Sequence, residues 1–171
     1  MNKKWFSIQG KATDAVAEVY IFDEIGAYGI TAQDFISEMK EYKDTPVNLR
    51  INCIGGDVFD GMAMYNIIKK REAKTTAYIE GIAASMGSVI ALAADEVIMA
   101  ENSLFMIHNA WGGAMGEAED MRKTASILEK ISGEIANIYE RKTRLSLNRI
   151  IEMMDKETWL NANEAYELGF I

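Results

Sequence analysis

Residues 75–100, TTAYIEGIAASMGSVIALAADEVIMA, admit two architectures. From Gly81 onward the run comes closest in this chain to a membrane span. Asp95 and Glu96 fall inside it, and an apolar span of ~20 residues does not accommodate them. The better reading is a strand over 75–79 running into Gly81, a helix of small and aliphatic residues over 85–94, and another strand at Val97-Ile98-Met99. The same alternation continues on both sides. Upstream, Val47 to Asn52 alternates with period two, Gly55-Gly56 breaks it, and a helical segment over 58–71 follows, with Met62, Tyr65 and Ile68. Ala17 to Phe22 reads as a strand. Thr31-Ala32-Gln33-Asp34 then has the form of a capped helix start, opening a helix over 32–42 with Phe35, Ile36 and Met39 on one side, and Pro46 closes that unit.

Downstream, Leu104 to Ile107 is a short strand, separated from the previous one by Glu101-Asn102-Ser103. Met121, Ala125, Leu128, Ile131, Ile135, Ile138 and Lys142 then recur at spacings of three and four, which predicts a helix over about 117–142. That is about twice the average helix of ~11–12 residues. One side of such a helix covers a sheet, and its excess length points to a neighbouring subunit. With no linker, repeat or low-complexity stretch, residues 1–171 are expected to form one α/β domain with right-handed crossovers.

Composition narrows the function. The 171 residues hold 18 Lys and Arg against 26 Asp and Glu, a net charge of −8, and no basic run exceeds Lys69-Lys70-Arg71. Phosphate backbones need a basic footprint, so no nucleic acid is expected as a partner. Met1 to Ser7 lacks the apolar stretch of a signal peptide, so no membrane is expected and the default location is cytoplasmic. The chain has one cysteine (Cys53), one histidine (His108) and one proline (Pro46). A lone cysteine forms no internal disulfide, and one histidine with one cysteine builds no zinc cluster. No metal and no cofactor are expected.

Three short segments could carry chemistry. Ser85 lies between a strand and a small-residue helix, with Gly87 two positions on. A tight strand-to-helix turn would present its hydroxyl, and the following N–H would face an oxyanion. The Gly-x-Ser-x-Gly pattern is broken by Ala83, and from this segment alone capping of the helix is the more ordinary role for Ser85. His108 ends an apolar strand just before Trp111-Gly112-Gly113-Ala114-Met115-Gly116, where a general base would stand. Gly55-Gly56 leaves backbone N–H groups open to an oxyanion or to an extended peptide, and lacks the spacing of a phosphate loop. Cys53, beside these glycines, is a rival nucleophile. Free cysteines usually only pack, and Cys53 is expected to do so.

Taken in order, the segments Ile51-Asn52-Cys53-Ile54-Gly55-Gly56-Asp57-Val58, Gly61 to Tyr65, Gly81-Ile82-Ala83-Ala84-Ser85-Met86-Gly87-Ser88, Met106-Ile107-His108-Asn109, Gly112 to Gly116 and Trp159 to Gly169 resemble the Clp protease proteolytic subunit family, particularly its shorter prophage-encoded forms. The resemblance covers residue 17 to the end. It implies a single-domain fold, shared with the crotonases, of repeated β-β-α units with a long helix after the histidine strand. It implies a serine endopeptidase with Ser85 as nucleophile, His108 as base and Glu157 as the acid, with Asp155 as the fallback. The N–H groups of Gly56 and Met86 would form the oxyanion hole. A peptide or protein substrate would lie extended along Ile54, Gly55, Asp57 and Val58 on one side and Asn109, Ala110 and Gly112 on the other. Family members stack two seven-membered rings into a closed tetradecamer, joined through the long helix. The implied partners are an ATP-driven Clp unfoldase or, for the phage forms, capsid proteins trimmed during head assembly. Trp5 to Gly10 and a short front end favour the phage type. Three departures stand out: Cys53-Ile54 for the family's Ser-Pro, Glu157 for its aspartate, and the shorter N-terminal region. Two alternatives accompany this reading, an acyl-CoA enzyme of the crotonase group and a catalytically inactive scaffold subunit.

Overall fold

The computed structural model describes residues 6–9 and 15–171. Trp5 and Gly10, on which the phage-type expectation partly rests, lie outside the described residues. No helix among the described residues is long and apolar enough to cross a membrane. The 75–100 stretch resolves into strand β4 (Thr75–Ala84), helix α3 (Met86–Ala91) and strand β5 (Glu96–Met99). Residues 89–94 are all buried. The run is therefore apolar because it lies inside the domain.

Before it come β1 (Phe6–Gln9), β2 (Ala17–Ile21), α1 (Ala32–Met39) with one 3-10 turn at 40–42, β3 (Val47–Cys53) and α2 (Val58–Lys69). After it come β6 (Leu104–Ile107), α4 (Ala118–Lys142), α5 (Leu147–Asp155), β7 (Thr158–Asn161) and α6 (Ala162–Glu167). Local signals explain most of these boundaries. The Thr31 hydroxyl accepts from the Asp34 N–H, so the cap read at the start of α1 forms. In β3, Val47, Leu49, Ile51 and Cys53 are buried while Asn48, Arg50 and Asn52 face outward, as period-two alternation requires. Glu117 and Asp120 close a capping box at the start of α4, where their charges also suit the helix dipole.

The sheet runs β1-β2-β3-β4-β6-β7. β2, β3 and β4 are parallel, and β1 and β7 are antiparallel at the two edges. β4 is long enough to use two partners on one side. Thr76 to Ile79 pair with β5, and Ile82 to Ala84 pair with β6. At the same place the β3 register slips, from Ile51 opposite Ile79 to Cys53 opposite Ala83.

The structure corrects several expectations. The strand expected over 75–79 continues five residues further, because Gly81 lies at this slip rather than at a strand end. The helix expected over 85–94 starts at Met86 and stops at Ala91, since Ser85 is turned out of helical geometry. Sequence patterning did not show β1, α5, β7 or α6 as elements. They are short, and all four are held by edge pairing or capping: β1 pairs with β2 and β7 with β6, the Ser146 hydroxyl caps α5, and Asn161 and Glu164 form a second capping box at α6.

The core is continuous across the sheet and includes Val19, Ile21, Phe35, Leu49, Ile51, Met64, Ile79, Val89, Phe105, Ile135, Tyr139 and Phe170. Phe105 packs against Phe170 at 5.2 Å between ring centres, and Tyr139 meets Phe170 edge-on at 5.9 Å. This cluster ties β6 to the chain's last residues and to the buried half of α4. On the outer sheet face, Arg50 bridges Glu18 at 2.7 Å and Glu80 at 2.9 Å and lies over the Tyr78 ring. Phe105→Ala is expected to cost about 3–5 kcal/mol, read as a lowered midpoint of urea unfolding with an unchanged slope.

Candidate active site

Strand register places the candidate residues. Ala84 at the end of β4 lies opposite Met106 in the parallel strand β6, and the Ser85 N–H donates to the Met106 carbonyl at 3.1 Å. Ser85 and His108 therefore follow the carboxyl ends of two adjacent strands. Open α/β sheets characteristically bind ligands at such ends. Thr158 of β7 lies opposite Ile107, which brings Glu157 to the same end. Residues distant in sequence converge because three strand ends coincide.

Ser85 has φ +53 and ψ −124, and its side chain makes no cap hydrogen bond. The capping role that its own segment favoured is not what the structure shows. Its Oγ instead lies 2.8 Å from His108 Nε2. The carboxylate of Glu157 approaches the other ring nitrogen, with Oε2 4.0 Å from Nδ1, and Oε1 accepts from the Trp159 indole N–H at 3.2 Å. Glu157 has φ +51. Among the described residues, Ser85 and Glu157 are the two non-glycine residues at positive φ. Each such conformation costs on the order of 1–3 kcal/mol and persists only where the surroundings enforce it. Asp155 is turned elsewhere and accepts from the Asn109 side-chain amide at 2.7 Å.

The glycine segment abuts the Ser85 turn. A Cβ on Gly55, at φ +101, would stand 2.6 Å from Ser85 Cβ and 3.0 Å from Met86 N. A Cβ on Gly56, at φ +141, would stand 2.0 Å from the Ile25 carbonyl oxygen. Only glycine fits either place. Ile25 pairs with this segment by donating to the Gly55 carbonyl and accepting from the Asp57 N–H. In a parallel bridge of this kind the N–H of the intervening residue, Gly56, points away from the partner. Met86 opens α3, and the first N–H groups of a helix have no intrahelical acceptor. Two backbone donors are thus left beside the Ser85 hydroxyl.

A cavity of about 500 Å³ opens there. Of the residues named from the sequence, Ile54, Gly55, Gly56, Asp57, Val58, Ser85, Met86, His108 and Ala110 line it. Asn109, Gly112, Asp155 and Glu157 do not. Asn109 is committed to Asp155, and Gly112 lies beside Leu128. Asp57 also caps α2 through the Asp60 N–H. Sequence reasoning missed Phe59, Val89, Leu128, Ile131 and Ile135, which with Trp111 of the loop after His108 make most of the apolar wall. Leu128, Ile131 and Ile135 were visible as part of the α4 stripe. Spacing alone assigns that stripe to sheet and subunit contact and carries no sign of its share in the cavity. The loop after His108 is tied to α4 by the Ala110 N–H, which donates to Ser132 Oγ at 3.0 Å. Among the described residues there is no cluster of potential metal ligands.

A serine hydroxyl in contact with an imidazole, backbone N–H groups beside it and an apolar cleft are the kinds of parts that acyl transfer requires. The family model described as "Clp protease" matches residues 12–171. The ATP-dependent Clp protease proteolytic subunit 1 of Salinibacter ruber is 30% identical over 144 residues, covering 83% of this chain and 62% of that protein. The ATP-dependent Clp protease proteolytic subunit of Deinococcus radiodurans is 30% identical over 127 residues, 73% of this chain and 62% of its own length. The subunit of the same name from Chlorella vulgaris is 30% identical over 133 residues, 77% and 66%. The chain thus spans roughly six tenths of the length of these relatives.

Cys53 is buried, and its sulfur accepts from the Gly55 N–H at 3.4 Å. Loss of hydration pushes its thiol up to about 11, against the smaller opposing effect of that hydrogen bond. At pH 8 roughly one such thiol in a thousand is ionised. Iodoacetamide at pH 8 is expected to leave Cys53 unmodified in the folded protein and to alkylate it in urea, as read by intact mass.

Proposed function

The chain belongs to the Clp protease family, and from that footing we propose that it is a serine endopeptidase in which Ser85 is the nucleophile, His108 the general base and Glu157 the acid. The observation that carries this reading is the 2.8 Å contact between Ser85 Oγ and His108 Nε2, made by a serine held at positive φ.

His108 Nε2 takes the hydroxyl proton as Ser85 Oγ attacks a peptide carbonyl. The tetrahedral oxyanion forms against the N–H groups of Gly56 and Met86, His108 then protonates the leaving amine, and water releases the acyl group by the reverse steps. For Nε2 to accept, the neutral imidazole carries its proton on Nδ1, the nitrogen that faces Glu157. At 4.0 Å, and with its side chain 58% exposed, Glu157 makes no hydrogen bond to the ring. It acts by stabilising the imidazolium across a short, partly solvated gap. Asp155 is the second choice for the acid, with its Asn109 bond against it. The substrate lies extended along Ile54 to Val58, reading backbone rather than sequence, and the apolar wall of Leu128, Ile131 and Ile135 takes one of its side chains.

The front half of α4 supports an assembled state. Ile135, Ala136, Ile138 and Tyr139 are buried, whereas Met121 and Ile127 stand 40% and 53% exposed. We place this half against neighbouring subunits, in two stacked seven-membered rings that close the site from bulk protein. The relatives' names tie them to ATP-dependent proteolysis. A Clp-type ATPase is the partner class that would supply that energy.

A fluorophosphonate is expected to label Ser85, with labelling abolished in His108→Ala; no adduct on the assembled wild type would sink the proposal. Because the carboxylate stands off from the ring, Glu157→Gln should lower kcat/KM about 10- to 100-fold, short of the ~10⁴ seen when a buried, bonded aspartate is replaced in such a triad. Asp155→Asn should change it less than about 3-fold; the opposite ranking would exchange the two roles. Native mass spectrometry should show a particle near fourteen times the 19.1 kDa chain; a stable monomer would rule out the rings.

A further inference from the structure

A buried polar chain that the mechanism above leaves unused runs behind the Ser85 turn. Ser88, wholly buried on α3, sets its hydroxyl 2.7 Å from the Ser85 carbonyl oxygen and 2.8 Å from the phenol oxygen of Tyr139 on α4. A serine hydroxyl has one proton to donate, and a carbonyl can only accept. The proton of Ser88 therefore goes to the Ser85 carbonyl, and Tyr139 donates to Ser88 Oγ. Burial reinforces that direction, since loss of hydration pushes the Tyr139 phenol well above the ordinary tyrosine range and keeps it protonated. The N–H groups of Ser88 and Val89 reach the same carbonyl at 3.0 and 3.2 Å, and the Tyr139 ring is itself seated against Phe170.

A trans peptide unit is planar, so the carbonyl of Ser85 and the N–H of Met86 point in opposite directions in one plane. Whatever holds the carbonyl also aims the N–H. We propose that Tyr139 and Ser88 are positioning residues that fix the Ser85–Met86 peptide plane and thereby aim the Met86 N–H at the oxyanion. The inference rests on the reading of Ser85 as nucleophile and deepens it. It also gives α4 a second task. The helix whose front half is largely exposed carries, in its buried half, the hydroxyl that starts the chain, so seating that half and aiming the donor are one event.

Tyr139→Phe keeps the ring and removes one hydroxyl. On a peptide amide substrate it is expected to lower kcat roughly 10-fold or more, below the ~10²–10³ for outright loss of an oxyanion donor, with KM unchanged. The inhibition constant of a peptide boronic acid, whose tetrahedral adduct uses the donor, should rise by a similar factor. Ser88→Ala should do the same, and the double variant should be no worse than either single one, because the two hydroxyls act in series. A purely structural role would lower thermal stability without separating kcat from KM and would give additive losses. Additive losses, or a folded Tyr139→Phe enzyme with wild-type kcat, overturn the inference. Should Tyr139→Phe not fold, Ser88→Ala decides on the same readouts. A wild-type protein that cleaves peptides while the variants match it sinks this inference alone. One that neither cleaves nor takes the phosphonate sinks the parent reading and this inference with it.

Discussion

The parallel pairing of β4 with β6 is the constraint on which the site depends. Ala84 lies opposite Met106, and the Ser85 N–H bonds to the Met106 carbonyl. From that one register, Ser85 and His108 leave neighbouring strands at the same end, and antiparallel addition of β7 brings Glu157 beside them. A slip by one residue in β6 would turn His108 to the other face of the sheet. The pairing depends in turn on the length of β4, which uses β5 for its first half and β6 for its second. The register slip against β3 accommodates that change of partner.

Around this pairing, strain and support are found together. Ser85 and Glu157 both hold positive φ, and both stand at the imidazole. The surroundings impose this on Ser85. Its carbonyl accepts from the Ser88 hydroxyl and from two backbone N–H groups, its N–H is bonded to β6, and Gly55 stands close on the other side. Glu157 has looser support, from the Trp159 indole and from its own N–H, which donates to the Met154 carbonyl. The support matches the geometry at the two ring nitrogens, a tight 2.8 Å contact on the serine side and a 4.0 Å gap on the glutamate side.

α4 connects the site to the rest of the domain in three ways. Leu128, Ile131 and Ile135 wall the cleft, Ser132 ties down the loop after His108, and Tyr139 reaches Ser88 behind the turn. Its net position comes from a short buried patch near the C-terminal end and from the Phe105–Phe170–Tyr139 cluster. Helix stability along the exposed front half rests on the Glu117–Asp120 capping box and on exposed ion pairs such as Arg122–Glu119, which are each worth little.

Much of this was legible in the sequence. Period two over 47–52, the Thr31 cap, the glycine break at 55–56 and the long stripe after residue 117 all carry local physical signals, and the elements they mark are present. The single histidine narrowed any imidazole chemistry to one position before a fold was known. What the sequence could not determine are the choices that depend on register. Taken alone, the segment around Ser85 favours a helix cap, because capping is local; its hydroxyl faces His108 only because β4 and β6 pair. Asp155 and Glu157 are two residues apart and chemically alike, and only the turn into β7 sends one toward Asn109 and the other toward the imidazole. Tyr139 and Ser88 are 51 positions apart and read separately as a stripe residue and a small helix residue. Periodicity and capping are written in neighbouring residues, whereas these contacts arise from strand register and helix seating, which form only when the whole core packs.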